Sequence, residues 1–265
     1  MDKSIMICDA DSILYATAFA MRGEPLTSLL TRVDDFIISI ANSCNAEKAL
    51  ICISEGKSWR KQYAKTKEYK GNRAGRELPP YLDDLRRYLK SRWNAFYVQH
   101  WEADDLIFMA RNVYKKRYPE YRIFMATNDK DCRQFPGMFL DFKKMSFFTI
   151  TPEQASKSFW TQMIVGDSTD NISGIQGIGK VGAEKLLLDQ PVLEYPQVVL
   201  KGYIAKYGER EGVEKFYESY KLLKLVDSCE DAGYQDDIIP EPIKVDYNGH
   251  SELSETSSQD SPQAL

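Results

Sequence analysis

Four short apolar runs, separated by stretches of helical spacing, constrain this chain more than any other feature. Residues 5–8, 49–53, 95–98 and 122–127 each have the length and composition of a buried strand. Between the first two, Leu29, Leu30, Val33, Phe36, Ile37, Ile40, Ala41 and Cys44 recur on one helical face. Pro79-Pro80 opens a helix that aligns Leu82, Leu85 and Leu89, and another from about Ala103 turns Leu106, Met109, Ala110 and Val113 inward. Strand–helix alternation predicts an α/β fold, a mainly parallel sheet with helices on both faces. After one more strand at 147–150, Thr151-Pro152-Glu153 has the hydroxyl, proline and acid of a helix start. From there to about Leu225 only helical spacing and turns follow.

Composition narrows the chemistry. The 265 residues carry 43% hydrophobic and 28% charged side chains, enough to bury a core, and no apolar run approaches a membrane span. Asp2, Asp9 and Asp11 near the N-terminus do not suit a secretory signal. The five cysteines are scattered without a CxxC pair, which fits a reducing, cytoplasmic setting and argues against disulfides or a zinc ribbon. With two histidines in the chain, a bound metal must be held mainly by oxygen. Charge is uneven: residues 227–265 sum to −9, whereas residues 57–76 reach +7 with Trp59, Tyr63 and Tyr69 interleaved. A basic, aromatic segment suits a phosphate backbone, although a charge run alone is more often a solvated loop. The acidic, polar stretch at 232–265 is expected to be a disordered tail.

The position of the acids is more informative than their number. Asp9 and Asp11 follow the first strand, Ser54-Glu55 the second, Glu102, Asp104 and Asp105 the third, and Asp129 and Asp131 the fourth; Asp167 and Asp170 end the next helix. Strand ends of a parallel sheet share one rim, where such folds bind ligands. Each cluster alone reads as a helix cap or polar turn, but separate caps need not all fall on one rim. Crowded carboxylates repel unless cations neutralise them, and Mg²⁺ or Mn²⁺ accept such ligands. Two ions could clamp a phosphodiester undergoing displacement. Beyond them, Gly174, Gly177 and Gly179 with Ile178, Lys180 and Lys185 form either a plain helix connector or a turn that holds a phosphate backbone.

Glu68-Tyr69-Lys70-Gly71-Asn72-Arg73, Glu102-Ala103-Asp104-Asp105, Asn128-Asp129-Lys130-Asp131, Gly166-Asp167-Ser168-Thr169-Asp170-Asn171-Ile172 and Gly174-Ile175-Gln176-Gly177-Ile178-Gly179 occur in that order. Together they resemble the 5′-nuclease or flap endonuclease superfamily, nearest to bacteriophage 5′→3′ exonucleases and the 5′-nuclease domain of bacterial DNA polymerase I. The resemblance spans about residues 5–225. It implies a PIN-like nuclease domain over 1–150 with a basic arch near 57–78. A helix–three-turn–helix DNA-binding region would cover 151–231, with its glycine hairpin at 174–179. It implies two Mg²⁺ ions, with Mn²⁺ able to substitute, and K⁺ at the hairpin. Asp9, Glu102, Asp104 and Asp105 would surround one ion; Asp129 and Asp131 would bridge to a second, completed by Asp167 and Asp170. Lys70 and Arg73 would neutralise the scissile phosphate and Tyr69 would support the nucleotide beside it. Arg60, Lys61, Lys65 and Lys67, with the hairpin residues, would contact DNA.

The implied activity is structure-dependent 5′→3′ exonuclease or flap endonuclease cleavage of flapped, nicked or primer-bearing DNA during replication. RNA–DNA hybrid is a further candidate substrate, and the protein is expected to be a monomer in the cytoplasm, that of a host if phage-encoded. The chain departs from the family pattern at the second strand. Ser54-Glu55 stands where relatives have Asp, and Trp59-Arg60 where they have Phe-Arg. Glu55 either substitutes through its longer side chain or the ligand is missing. Asp11 is a supplementary ligand or a helix cap, the cap being preferred. Two alternatives follow: a junction-binding protein of the same fold with weak or lost catalysis, or a PIN-type ribonuclease.

Overall fold

A computed structural model describes residues 3–247. Strand β1 (Ser4–Asp9) is central and pairs in parallel with β2 (Ala46–Cys52) and β3 (Arg122–Ala126). Next to β3, β4 (Gly137–Asp141) is also parallel, and β5 (Ser146–Ile150) returns antiparallel at that edge. Alternation along β1 builds the layers. Met6 and Cys8 face α1 (Ala10–Ala20), α2 (Leu26–Ser43) and α3 (Leu82–Arg92), while Ile5 and Ile7 face α4 (Ala103–Arg117). Both faces of β1 are therefore buried, as its apolar run Ile5-Met6-Ile7-Cys8 requires.

Two expectations fail for reasons of pairing. Residues 95–98 form no strand: Phe96 makes one isolated parallel bridge to Cys52 at the end of β2, and Gln99 another to Glu55 beyond it. The acidic stretch from 232 is not a disordered tail as far as residue 247. It packs Ile239 and Val245 into the cores and adds β8 (Ile243–Lys244) antiparallel to β2. Residues 248–265 lie outside the described part.

The second region forms its own core. Helices α5 (Pro152–Val165), α6 (Lys180–Leu187), α7 (Tyr195–Tyr207) and α8 (Glu209–Leu223) enclose Phe159, Met163, Val199, Tyr203 and Phe216. Thr151 opens α5 with a capping box, accepting from Gln154 N while the Gln154 side chain accepts from Thr151 N. A two-residue hairpin, β6 (Gly166–Asp167) and β7 (Ile172–Ser173), then leads to the glycine turn. Among the described residues no helix is long and apolar enough to cross a membrane.

Candidate active site

The carboxyl ends of β1 and β3, the start of α4 and the 167–170 turn open on one cleft. Asp9, Asp11, Glu102, Asp104, Asp129, Asp131, Asp167 and Asp170 line it, faced by Lys70, Arg73, Lys61 and Lys130. Asp9 ends β1 and accepts hydrogen bonds from Ser12 Oγ and Thr127 Oγ1, both at 3.2 Å. Burial, reinforced by the charges of Asp11 and Asp129, pushes its carboxyl up to about 7. Asp131, held by Gln162 Nε2 at 2.7 Å, is likewise pushed up to about 7 by burial and by Asp129 and Asp167. Burial with neighbouring Asp105 and Glu102 drives Asp104 well upward. Burial also opposes ionisation of Glu102, but Lys70 and Arg60 outweigh it and hold that carboxyl down at about 2. Lys130 Nζ, 3.0 Å from Asp167, and the Thr169 N–H keep Asp167 below its ordinary range against its burial.

The cationic side of the cleft is built by residues 68–73. Lys70 adopts the left-handed region at φ +56°, and its N–H donates to the Asp170 carbonyl at 2.9 Å. That bend aims Nζ at the Glu102 carboxylate, with Asp170 at 3.6 Å. Arg73 Nη2 lies 2.6 Å from Asp170 Oδ1. Asn72 Nδ2 donates to the Ser168 carbonyl at 2.8 Å and Asn171 Nδ2 to that of Glu68 at 2.9 Å, sewing this segment to the acidic turn.

Among the described residues, the cleft is lined by no histidine or cysteine. Its donors are the carboxylate oxygens of Asp9, Asp11, Glu102, Asp104, Asp129, Asp131, Asp167 and Asp170. Such a set fits hard divalent cations. Carboxylates driven toward neutrality are groups that a cation would return to the charged form.

The 5′-3′ exonuclease N-terminal, resolvase-like domain model matches residues 4–159. The chain belongs to this family. A DNA polymerase I of Borreliella burgdorferi is 30% identical over 252 residues, covering 84% of this chain and 27% of that protein. A 5′-3′ exonuclease of Mycoplasmopsis pulmonis is 30% identical over 172 residues, 60% of this chain and 56% of that one. The chain spans about a quarter of the length of the curated polymerases it matches. In fold it resembles the bacteriophage T5 D15 protein co-crystallized with metal ions. The TM-score is 0.65 at 19% identity, covering 89% of this chain and 95% of that one.

Within this exonuclease-family fold, several predicted site residues stand elsewhere than expected. Arg60 does not face DNA: it is 1% exposed, and its guanidinium grips both oxygens of Asp105 at 2.6 and 2.7 Å, Glu102 at 2.8 Å, and the Leu222 and Lys224 carbonyls. Asp105, fully buried, also accepts from Trp59 Nε1 and Val226 N. It is the counter-ion of Arg60 and does not line the cleft. Tyr69 is 2% exposed, so it offers no stacking face to a nucleotide; its hydroxyl donates toward Glu102 and Asp170, both at 3.0 Å. Glu55 turns outward to Lys90 Nζ at 2.6 Å. Asp11 is no cap either, since Asp9 holds the capping position of α1 without a side-chain bond.

The basic segment is a strap rather than a free arch. Its Lys65 and Thr66 N–H groups donate to Glu218 of α8, and Tyr69 packs in the helical core. Lys61 remains exposed at the cleft, and Lys65 and Lys67 are exposed beside α8 and the glycine turn. Gly174, Gly177, Ile178 and Gly179 line a groove with Lys67 and Lys215; Lys180 and Lys185 are exposed on α6. Sequence reasoning missed Lys130 and Arg86 in the cleft, although Lys130 sits inside a quoted acidic block.

Proposed function

We propose that the chain is a divalent-metal-dependent 5′ nuclease that hydrolyses DNA phosphodiesters near the 5′ end of flapped, nicked or primer-bearing duplex. One observation carries this: carboxylates from β1, α4, the turn after β3 and the 167–170 turn converge on one cleft against Lys70 and Arg73. Asp9, Glu102 and Asp104 would hold one Mg²⁺ and Asp129, Asp131, Asp167 and Asp170 a second, with Mn²⁺ able to replace either. When bound, these ions supply positive charge against the phosphate oxygens and ease deprotonation of an attacking water.

The chain's own groups do the rest. Hydrolysis joins a water oxygen to phosphorus and breaks one P–O ester bond, so the departing oxygen needs a proton or a cation. Lys70, burial notwithstanding, is held protonated by Glu102 and Asp170, and it is the ammonium positioned to meet that oxygen. Arg73 offers a planar fork to the phosphate in exchange for Asp170. Tyr69 and Arg60 position Glu102 from beneath. The glycine turn at 174–179, with Lys67, Lys180, Lys185 and Lys215, would grip the duplex backbone without reading bases, with K⁺ as a candidate ion there. A replication role and RNA-primed substrates belong to the same reading.

The test is cleavage of a 5′-labelled flap duplex with Mg²⁺, Mn²⁺ or EDTA, by wild type and Asp129→Ala. Metal-dependent cutting that drops at least 100-fold in the variant is expected. Tight flap binding with no cutting under either metal would favour the junction-binding alternative, which the outward turn of Glu55 motivates.

A further inference from the structure

Strand β2 delivers no carboxylate of its own to the cleft. Ser54 spends its hydroxyl accepting from Ala103 N at 3.0 Å, at the start of α4. Glu55 points its carboxylate to Lys90, and its backbone bridges to Trp101 and His100. The space above the end of β2 is filled from another element. Asp11, in the first turn of α1, reaches across so that its Oδ2 accepts the Ser54 N–H at 2.9 Å. A first-turn acid that served the helix dipole alone would have no need to cross to a neighbouring strand.

The other oxygen is the telling one. Asp11 Oδ1 is buried in the cleft wall with no hydrogen-bond partner; its nearest cation, Arg86 Nη2, stands 3.6 Å away. Arg86 Nε is also buried without a partner, so the pair is loose rather than a satisfied bidentate bridge. A buried carboxylate oxygen left without a donor is costly unless something of opposite charge meets it. Asp9 and Asp104 line the same cleft and would be the oxygen donors a cation meeting Asp11 shares.

We infer that Asp11 supplies, from helix α1, the carboxylate that the β2 side of the cleft contributes to the divalent-ion site of Asp9. This rests on the metal-dependent reading above and deepens it. Fixed by the Ser54 N–H through one oxygen, Asp11 leaves the other for the ion, and Glu55 has no part. Asp11 thus takes the place left open after β2, where Ser54 bonds to Ala103 and Glu55 to Lys90.

The test is calorimetric titration of the full chain, without DNA, with Mg²⁺ and with Mn²⁺. It compares wild type, Asp11→Asn, Glu55→Gln and the double variant Asp11→Asn/Ser54→Asp. Asp11→Asn is expected to weaken the tighter site by about 10–100-fold, the range for losing a group that orients or completes a metal site. Glu55→Gln should bind as wild type does. Ser54→Asp, placing a carboxylate at the end of β2 and still able to accept from Ala103 N, should restore most of the loss. Circular dichroism of each variant separates loss of a ligand from loss of fold, and rescue by the double variant answers the case in which Asp11→Asn folds poorly. Equal affinity of Asp11→Asn and wild type, or a loss in Glu55→Gln as large as in Asp11→Asn, overturns the assignment alone. A wild-type chain that binds neither ion overturns the metal reading and the assignment with it.

Discussion

Arg60 is the residue on which the two regions are pinned. Its guanidinium satisfies Asp105 and Glu102 and reaches the carbonyls that end α8, all out of water. Removing one member of such a set strands the others, so Arg60→Leu should cost about 3–5 kcal/mol, read as a lower urea midpoint. Arg60→Lys should recover only part, because an ammonium cannot span both carboxylates as a planar fork does. The acids of the cleft make a second prediction, for the metal-free protein. Asp9 and Asp131 titrate near 7 when folded, above their ordinary 3.8, so the folded state binds more protons between those values. Stability therefore rises as pH falls from about 7 toward 5 and is flat above 7 on their account. Glu102 acts oppositely: held at about 2 against 4.5, it contributes stability that is lost as pH falls below about 4.5. The melting temperature in EDTA should accordingly rise from pH 8 down to about pH 5 and turn over near pH 4, and added Mg²⁺ should raise it more at pH 8 than at pH 6. The acids of this site were legible because each follows a strand or helix. Arg60 was not, since a surface lysine run and a buried arginine look alike until α8 is seen to cover one of them.

At the scale of elements, local rules read well and pairing rules read poorly. The start of α5 was plain from Thr151-Pro152-Glu153 because a capping box lies within four residues. The strand expected at 95–98 shrank to a single bridge at Phe96, while the neighbouring stretch of that β2 edge, at Lys48 and Ala49, pairs with the far-removed β8. Nor did β4 stand out, its Gly137-Met138-Phe139-Leu140 run being too short to separate from a loop. The glycine turn shows how close approach decides composition. A methyl group at Gly174 would run into the Ile164 carbonyl and the Gly166 nitrogen, whereas one at Gly177 meets nothing but must adopt φ +89°. Gly174→Ala should thus cost about 3 kcal/mol or more and disorder the hairpin, and Gly177→Ala about 1 kcal/mol. Thermal melts rank the two, and flap-duplex affinity should fall in the same order.

Across the whole molecule, the acidic C-terminal stretch acts as a strap on the sheet. Tyr114 donates to the Pro240 carbonyl and Arg117 to those of Asp236 and Ile239, while β8 covers the outer edge of β2. Composition hid this, since Ile239, Ile243 and Val245 are few among many acids. Ending the chain at Asp231 should cost several kcal/mol, at about 1.5–3 kcal/mol for each large side chain unburied, and should promote aggregation by baring a strand edge. A lower melting temperature with rising light scattering is the expected record. The β6–β7 hairpin carries a different consequence. Asp167 and Asp170 stand at one end of it and Gly174 at the other, in a backbone packed too closely to admit a methyl group. Cleft and glycine turn therefore behave as the two jaws of a calliper. In the proposed nuclease, a duplex gripped at 174–179 would offer the cleft a phosphate at a set number of nucleotides, whatever the bases. One residue inserted after Asn171 should shift or blur the cut along the strand rather than merely slow it, the outcome expected if the proposed nuclease measures where to cut instead of reading it.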